Sequence, residues 1–195
     1  MTSESYGISA QELIQRLLDP ERTKNLDTFL ILTLSDINLH STVADIGCGP
    51  GFFTLPLAKF LVTGKLFALD IDDDMLDACR QRMAEARMGN VEVLKCSEFE
   101  FPLEKASLDG AFMAFVVQQS EDKGRLLSAV RELLLPKGWC TILEWYKKDT
   151  ESGGPPVERR VDPQELQQLA EEAGFRHVRW RDLNGDQYMT MLRNN

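Results

Sequence analysis

Cysteine and histidine are scarce in this chain of 195 residues. The cysteines are widely spaced without a C-x-x-C pair, and two histidines accompany them: Cys48, Cys79, Cys96, Cys140, His40 and His177. Such spacing predicts neither a zinc site nor a disulfide framework. We therefore expect no bound metal, and we interpret each cysteine as a small buried hydrophobic residue.

Positive charge is also in deficit. Lysine and arginine number 22 against 31 aspartate and glutamate residues, which gives a formal net charge of −9. No run of consecutive basic residues is longer than a pair. Binding to nucleic acid normally requires a basic face that displaces phosphate counterions. The composition therefore predicts that DNA and RNA are not partners, and no pattern specifies an oligomeric state.

Long apolar runs are missing. The longest, residues 29–34 and 111–117, fall far short of the 18 or more residues that a membrane helix needs. Residues 1–5 carry neither the basic start nor the apolar stretch of a signal peptide. We expect no membrane partner and a cytoplasmic location.

The remaining composition is that of an ordinary globular domain, with 43% apolar and 27% charged residues. A chain of this length hides roughly 70% of its unfolded surface on folding. It has room for one domain with short additions. A sizeable core is available without cross-links.

Apolar spacing alternates between the helical and the strand period. Helices are predicted at residues 9–18, 25–34, 52–61, about 73–86, from a Ser120 cap to a point before Pro136, and 163–173 behind a capping box at Asp162 and Glu165. Strands are predicted at residues 41–46, 65–70, 91–95, 107–117, 138–146, 175–183 and 186–192, the last two joined by Asn184-Gly185.

This order predicts an α/β fold with an open, doubly wound, Rossmann-like sheet of seven strands. Six strands are parallel, one strand of the C-terminal hairpin is antiparallel, and helices cover both faces. We divide the single domain, residues 1–195, into N-terminal cover helices at 1–40, a cofactor-binding core at 41–146, an exposed loop at 147–160, and a final helix with hairpin at 161–195.

The exit of the first strand carries the clearest chemistry. Glycines stand at alternate positions 47, 49 and 51, where they allow a sharp turn and a close approach of ligand to backbone. The dinucleotide fingerprint G-x-G-x-x-G requires glycine at position 52, which is Phe52 here. Asp45, two residues before Gly47, adds a carboxylate that can orient a cationic group. Asp70 ends the second strand, 23 residues after Gly47, where an acidic residue accepts hydrogen bonds from a ribose.

These segments resemble the class I S-adenosylmethionine-dependent methyltransferases. VADIGCGPGFFTLPLA and FALDIDDDML look like the first two motifs of the family. NVEVLKCSEFEFP, SLDGAFMAFVV and LLPKGWCTILEW look like its third-strand exit, its fourth strand and the turn into its fifth strand. The resemblance covers about residues 20–193 and implies S-adenosylmethionine as cofactor.

The resemblance also implies site residues. It implies that Gly47, Gly49 and Gly51 line the methionine and ribose parts of the cofactor and that Asp45 lies near its amino-acid end. Asp70 would bind the ribose hydroxyls, and Ile71 would pack on adenine. Ser97 and Glu98 would lie at the adenine amino group, and the backbone at Ala114 would face the ammonium group. Ser97 departs from the Asp-Ala pair common in the family. Because serine has no carboxylate, that contact passes to Glu98 or to backbone.

Acceptor residues are less evident. The Asn/Asp-Pro-Pro-Tyr/Phe run of nucleic-acid amino methyltransferases is replaced by residues 113–116, Met-Ala-Phe-Val, which favours a small-molecule acceptor. Gln118 and Gln119 stand where small-molecule relatives often carry histidine. If a catalytic group is needed, the candidates are Gln118, Glu144 and Tyr146, the last two sharing a face by strand alternation. The alternative for Glu144 is a structural hydrogen-bond or salt-bridge partner.

Two other functions compete with methyl transfer to a small molecule. The absent histidine and Ser97 are compatible with a cofactor-binding protein that has no catalysis. An NAD(P)-dependent oxidoreductase would share the sheet, but Phe52 and the terminal hairpin disfavour it. Methyl transfer itself is an in-line displacement, for which the protein supplies mostly alignment and removal of water.

Overall fold

The structure is a computed structural model that describes residues 7–150 and 154–195. Residues 1–5, for which no signal peptide is expected, and residues 151–153 of the 147–160 loop lie outside these ranges. The helices are α1 Ala10–Leu17, α2 Arg22–Asn25, α3 Thr28–Leu34, α4 Thr54–Phe60, α5 Asp73–Glu85, α6 Lys123–Leu133 and α7 Pro163–Glu172. The strands are β1 Thr42–Ile46, β2 Lys65–Asp70, β3 Val91–Lys95, β4 Leu108–Ala114, β5 Leu134–Trp145, β6 Phe175–Asp182 and β7 Gln187–Asn194.

The seven strands form one sheet in the order β3-β2-β1-β4-β5-β7-β6. Neighbours from β3 to β5 pair in parallel, whereas β7 runs antiparallel to both β5 and β6. The chain reverses its winding direction between β1 and β4, and such a switch point opens a crevice at the carboxyl ends of the strands. The predicted fold class is confirmed.

Helices cover both faces of the sheet because successive strand residues point to opposite sides. On one face, strand residues such as Ala111 and Met113 pack with the buried residues of α6 and α7. On the other face, Phe112 and Leu143 pack with α3 and α4. Helix α5 joins this second layer through its contacts with α4 and β2. Successive buried side chains of β4 therefore alternate between two hydrophobic clusters, one on each face of the sheet.

Local signals explain several helix starts. Ser9 and Glu12 form a reciprocal capping box at α1. The Asp72 carboxylate accepts hydrogen bonds from the backbone N–H groups of Asp74 and Met75 at α5. Pro56 is the third residue of α4, within the first turn, where its missing N–H has no helical partner to lose.

Two of the helix predictions were wrong in detail. The helix predicted at residues 25–34 begins three residues later, as α3 at Thr28, because the Asp27 carboxylate caps it by accepting from the Leu30 N–H at 3.0 Å, and the short α2 before it was not predicted. The cap of α6 is Asp122, not Ser120, since residues 117–119 form a 3-10 turn and Asp122 accepts from the Arg125 N–H at 2.9 Å. The fourth strand ends at Ala114, so the strand and its exit both lie within the predicted segment 107–117.

The segments after β5 also differ from expectation. The predicted capping box at Asp162 is absent: Asp162 accepts from the Lys147 N–H at 3.3 Å, and Glu165 pairs with the Lys147 ammonium at 3.5 Å. The 147–160 loop contains a 3-10 turn at Val157–Arg159. It ends in Arg160, which is only 4% exposed and donates to the Pro155 and Lys148 carbonyls. A buried arginine therefore holds the described part of this loop against the domain.

In residues 7–150 and 154–195, no helix has the length and apolar character needed to cross a membrane.

Candidate active site

The turn after β1 can be built only with glycine at its first position. The N–H groups of Gly47 and Cys48 both donate to the Leu69 carbonyl, at 2.8 and 3.0 Å, which fixes the turn against β2. Gly47 has a φ of +69°, and a Cβ there would lie 2.5 Å from Cγ2 of Val116. Both the backbone conformation and the close neighbour therefore require glycine.

Asp70 organises the loop around it. Its carboxylate accepts backbone hydrogen bonds from Gly49 at 2.8 Å, Ile71 at 2.7 Å and Asp72 at 3.1 Å. Two of these bonds go to Oδ1 and one to Oδ2. A carboxylate offers about four acceptor sites, so Oδ2 keeps one for a ligand hydroxyl. Asp70 thus fits a ribose while it holds the glycine turn in place.

Asp45 is the other acidic residue beneath the turn. Its side chain is 2% exposed and accepts a hydrogen bond from the Thr54 hydroxyl at 2.6 Å. Burial, with a smaller contribution from the charge of Asp70, raises the pKa of Asp45 to about 7, and the Thr54 hydrogen bond partly opposes this shift. A ligand ammonium beside this carboxyl would favour its ionised form.

Ser97 and Glu98 follow β3. The Glu98 carboxylate accepts from the Ser120 hydroxyl at 2.6 Å and from the Glu121 N–H at 2.9 Å, which ties the β3 exit to the loop before α6. The Ser97 hydroxyl accepts from the Glu100 N–H at 3.1 Å. Ser120, expected to cap α6, therefore stabilises this corner of the site instead.

A cavity of about 240 Å³, which we call the donor cavity, lies at the carboxyl ends of β1, β2 and β4. Eight of the nine residues predicted to contact the cofactor line it: Asp45, Gly47, Gly49, Asp70, Ile71, Ser97, Glu98 and Ala114. Gly51 does not line it. A Cβ on Gly51 would lie 3.2 Å from the Cys79 sulfur, so this glycine instead allows α5 to pack closely. The assignment of these residues to parts of a cofactor stays a prediction.

A second cavity of about 330 Å³, the acceptor cavity, adjoins the first. Its walls come from the N-terminal helices, the exits of β4 and β5, and the β6–β7 hairpin: Leu13, Arg16, Leu17, Asp19, Arg22, Asn25, Leu26, Phe115, Gln118, Trp145, Gly154, Pro155, Asn184, Asp186 and Gln187. Leu17, Arg22 and Phe115 line both cavities. These three residues mark the junction across which two bound molecules would meet.

Phe115 stands at the junction in an unusual conformation. Its φ of +64° is uncommon for any residue except glycine, and its carbonyl accepts from the side-chain amides of Gln119 at 2.6 Å and Gln118 at 3.4 Å. Strained backbone of this kind is concentrated at functional sites. The turn that follows sends Gln118 to the acceptor cavity and Gln119 to the donor cavity.

The three catalytic candidates do not line one common cavity. Gln118 lines the acceptor cavity, is 2% exposed, and its Oε1 has no hydrogen-bond partner among the described residues. Glu144 and Tyr146 line neither cavity. Glu144 pairs in register with Tyr188, on the face covered by α6 and α7. The Tyr146 ring packs against the ring of Tyr188 at 5.0 Å.

Glu144 supports the turn from behind. Its Oε1 accepts from the Gln118 N–H at 3.2 Å, and the side chain is fully buried. Burial raises the pKa of Glu144 to about 8, with backbone hydrogen bonds from Gln118 and Val117 opposing the shift. This geometry fits the alternative in which Glu144 is a structural hydrogen-bond partner rather than a catalytic group.

Sequence reasoning missed most of the acceptor cavity. Arg22, Trp145 and Asn184 were not among the candidates, although they come from three separate segments that meet here. Asn184 donates to the Asn25 carbonyl at 2.8 Å and so ties the hairpin to the N-terminal helices. The Asn184-Gly185 pair was recognisable only as a turn, Trp145 only as the end of the fifth-strand motif, and no motif marked Arg22.

The geometry is that of an α/β domain with a ligand cavity at its topological switch point, and comparison with known proteins identifies the class. Residues 43–138 match the family model described as a methyltransferase domain. The ubiquinone/menaquinone biosynthesis C-methyltransferase UbiE of Marinomonas sp. (strain MWYL1) is 26% identical over 122 residues, covering 62% of this chain and 49% of that protein. The chain spans about half the length of the curated relatives it matches.

Solved structures agree. A SAM-dependent methyltransferase from Aquifex aeolicus superposes with a TM-score of 0.91 at 26% identity, covering 96% of this chain and 100% of that one. Phosphoethanolamine N-methyltransferase 2 of Haemonchus contortus, solved with S-adenosyl-L-methionine, shares the fold with a TM-score of 0.74 at 15% identity over 86% of this chain and 52% of its own. Residues 43–138 therefore carry the match to a methyltransferase domain, and the chain has the fold of S-adenosylmethionine-dependent methyltransferases.

Proposed function

We propose that this protein transfers the methyl group of S-adenosylmethionine to a small molecule bound in the acceptor cavity. The observation that carries the proposal is the contact of the two cavities at Leu17, Arg22 and Phe115. Displacement at a methyl carbon needs the nucleophile about 3–3.5 Å from that carbon and in line with the bond to sulfur. Adjoining cavities supply such an approach.

The residues of the donor cavity suit each part of the cofactor. Asp70 has an acceptor site left for a ribose hydroxyl, and Ile71, 43% exposed at the cavity wall, can pack on adenine. The turn at Gly47 and Gly49 lets the chain pass close to the ligand. The carboxyl of Asp45 and backbone at Ala114 provide partners for the ammonium. Near adenine, Ser97 and Glu98 both reach the cavity although their side chains already hold local hydrogen bonds.

Catalysis in this scheme rests on alignment and exclusion of water, which together can contribute several kcal/mol. Of the catalytic candidates, Gln118 alone faces the acceptor cavity, where its free Oε1 can accept a hydrogen bond from the acceptor. Glu144 keeps the Gln118 backbone in place and does not reach the acceptor. Tyr146 has a packing role.

The acceptor is proposed to be a small molecule. A cavity of about 330 Å³ fits a ligand of that size, and the net charge of −9 disfavours a nucleic-acid substrate. The quinone acceptors named for UbiE-type relatives are one class to test. We further propose that the protein works as one domain in the cytoplasm, where its four free cysteines would stay reduced.

Isothermal titration tests the proposal with S-adenosylmethionine, S-adenosylhomocysteine and NAD. We expect wild type to bind both S-adenosyl compounds, and Asp70→Ala to weaken binding by at least about 100-fold because it removes a charged ribose partner and three loop hydrogen bonds. Asp77→Ala is the matched control, since Asp77 is exposed on α5 and, among the described residues, its only ion pair is with Arg80 at 2.7 Å. Binding of NAD alone would contradict the proposal.

Turnover then separates enzyme from binding protein. Wild type with a labelled methyl donor is incubated with hydroxyl, amine, thiol and quinol acceptors, and transferred label is counted. Label transfer supports the enzyme. Cofactor binding without transfer to any of these acceptors would favour the alternative, a cofactor-binding protein without catalysis.

A further inference from the structure

Arg22 occupies a place that no motif marks. It is the first residue of α2, it is half-buried, and it lines both the donor and the acceptor cavity. Its guanidinium lies 4.3 Å from the centre of the Phe52 ring, and its Nη1 donates to the Leu17 carbonyl. The side chain is therefore held at the junction by one ring and one backbone group.

Arg22 forms no direct ion pair in the part of the chain that the structure describes, although the Asp19 carboxylate lies close enough to act on its charge. Among residues 7–150 and 154–195, no carboxylate forms a salt bridge with it. Burial lowers the pKa of Arg22 to about 10, an effect that the nearby Asp19 carboxylate partly opposes. The group is thus a cation at neutral pH. A half-buried guanidinium without a direct ion pair loses part of its hydration, and an anionic ligand would offset that cost.

The direction of the cofactor brings its one negative charge to this point. Asp70, Ile71 and Glu98 lie at the β2 and β3 ends of the donor cavity, where the adenosine is expected. The methyl group must face the acceptor, so the sulfonium lies at the junction. The methionine tail is bonded to that sulfur, and its carboxylate is the only anion of the cofactor.

Arg159 is the other cation that lines the donor cavity. It is exposed on the turn Val157–Arg159 and does not line the acceptor cavity. Arg22 is the cation at the junction, and its planar fork matches a carboxylate with two parallel hydrogen bonds.

We infer that Arg22 binds the methionine carboxylate of S-adenosylmethionine and thereby couples the two cavities, an inference that rests on the proposed function. Because Arg22 also donates to Leu17, and both residues form part of the acceptor wall, cofactor binding orders that wall. The acceptor site is then complete only after the cofactor has bound.

The test measures binding of two ligands that differ in one group. S-adenosylhomocysteine carries the carboxylate, and its decarboxylated analogue S-adenosyl-3-thiopropylamine keeps the ammonium and lacks only the carboxylate. We expect Arg22→Gln to weaken binding of S-adenosylhomocysteine about 10- to 100-fold and to change binding of the analogue by less than about 3-fold. Arg22→Lys, which keeps the charge without the planar guanidinium, should bind S-adenosylhomocysteine about 3- to 10-fold more weakly than wild type does.

Arg125→Gln is the matched control. The Arg125 guanidinium also lies 4.3 Å from a phenylalanine ring, that of Phe99, but Arg125 lines neither cavity. Its substitution should leave the affinities of both ligands unchanged. Thermal unfolding of each variant checks that the fold is retained.

A second readout follows the wall itself. In wild type, S-adenosylhomocysteine should slow backbone hydrogen exchange in residues 10–26 more than the analogue does, and Arg22→Gln should abolish that difference.

Each outcome has one meaning. Equal weakening of both ligands in Arg22→Gln would assign Arg22 a structural role and overturn the inference, as would no weakening of either. Failure of wild type to bind either compound would instead contradict the proposed function, and with it the inference.

Discussion

The donor and acceptor cavities are built in different ways. The polar groups of the donor cavity come mainly from strand exits. They are joined by bonds within one turn, such as Asp70 to the Ile71 and Asp72 N–H groups, and by bonds between strand exits, such as the Gly49 N–H to Asp70. The acceptor cavity joins segments far apart in sequence, for instance Asn25 and Asn184. The donor cavity therefore depends on the sheet bringing its strand exits together, whereas the acceptor cavity exists only when the N-terminal helices and the hairpin dock. Substitutions can separate the two.

The largest effect is expected at the turn of the donor cavity. Gly47→Ala places a Cβ 2.5 Å from Val116 on a backbone with φ of +69°, so we expect a loss of about 2–4 kcal/mol in the free energy of unfolding and at least 10-fold weaker binding of S-adenosylhomocysteine. Urea denaturation and titration measure these.

Gly185→Ala is the matched control, since Gly185 has φ of +83° and no atom within 4 Å of a built Cβ. It should cost about 1 kcal/mol, for the conformation alone, and leave nucleoside binding unchanged. Equal costs for the two glycines would show that the contact with Val116 is relieved without consequence.

A smaller effect is expected at Glu144, which supports the turn between the cavities. Its pKa is about 8 in the folded state against 4.5 ordinarily, so from pH 4.5 to 8 the unfolded chain has lost a proton that the folded protein keeps. The stability contributed by Glu144 is therefore full below pH 4.5 and lost as the pH rises through 8. Glutamine does not ionise and keeps an acceptor for the Gln118 N–H.

We expect Glu144→Gln to gain about 1–3 kcal/mol relative to wild type between pH 5 and pH 8. Urea denaturation of both proteins at the two pH values measures the difference. Asp45, whose pKa is also raised, is present in both proteins, so its contribution to the pH dependence cancels in the stability difference between them. A stability difference independent of pH would mean that Glu144 is ionised normally.

The smallest effect is expected at Asn184, whose side chain links the β6–β7 hairpin to the N-terminal helices. Asn184→Asp keeps the oxygen that accepts from the Asp186 and Gln187 N–H groups and loses the amide that donates to the Asn25 carbonyl. We expect a cost of about 0.5–1.5 kcal/mol, faster hydrogen exchange in residues 22–26, and binding of S-adenosylhomocysteine within about 2-fold of wild type.

Asn90→Asp serves for comparison, because the Asn90 amide donates to the Ala58 and Leu61 carbonyls at 2.9 and 2.8 Å, away from the acceptor cavity. It should cost similar stability without affecting exchange in residues 22–26. If Asn184→Asp weakened nucleoside binding strongly, the two cavities would be less separable than the geometry indicates.

Much of this architecture was predictable because its signals are local. The strands at residues 65–70 and 91–95 were predicted with their observed bounds, since each is a short apolar run between turn residues. The lining of the donor cavity by Asp45, Gly47 and Asp70 followed from their spacing after strands, because strand ends in a parallel sheet meet at one edge.

Other predictions failed where a distant partner decided. Ser120 had the residue type of a cap, but Glu98 takes its hydroxyl. Asp162 and Glu165 had the spacing of a capping box, but Lys147 engages both. Local propensity yields when a tertiary hydrogen bond or ion pair offers the side chain another partner.

The sequence by itself determined the alternation of strands and helices, the order that makes the sheet open and doubly wound, and the glycine turn with its two aspartates. These depend on periodicity and backbone conformation within a few residues. Only the tertiary structure decided that Arg22 stands between two cavities, that Glu144 faces away from both, and that Gly51 packs on α5. Those outcomes depend on which segments dock against one another, and docking is set by the shape of the whole core.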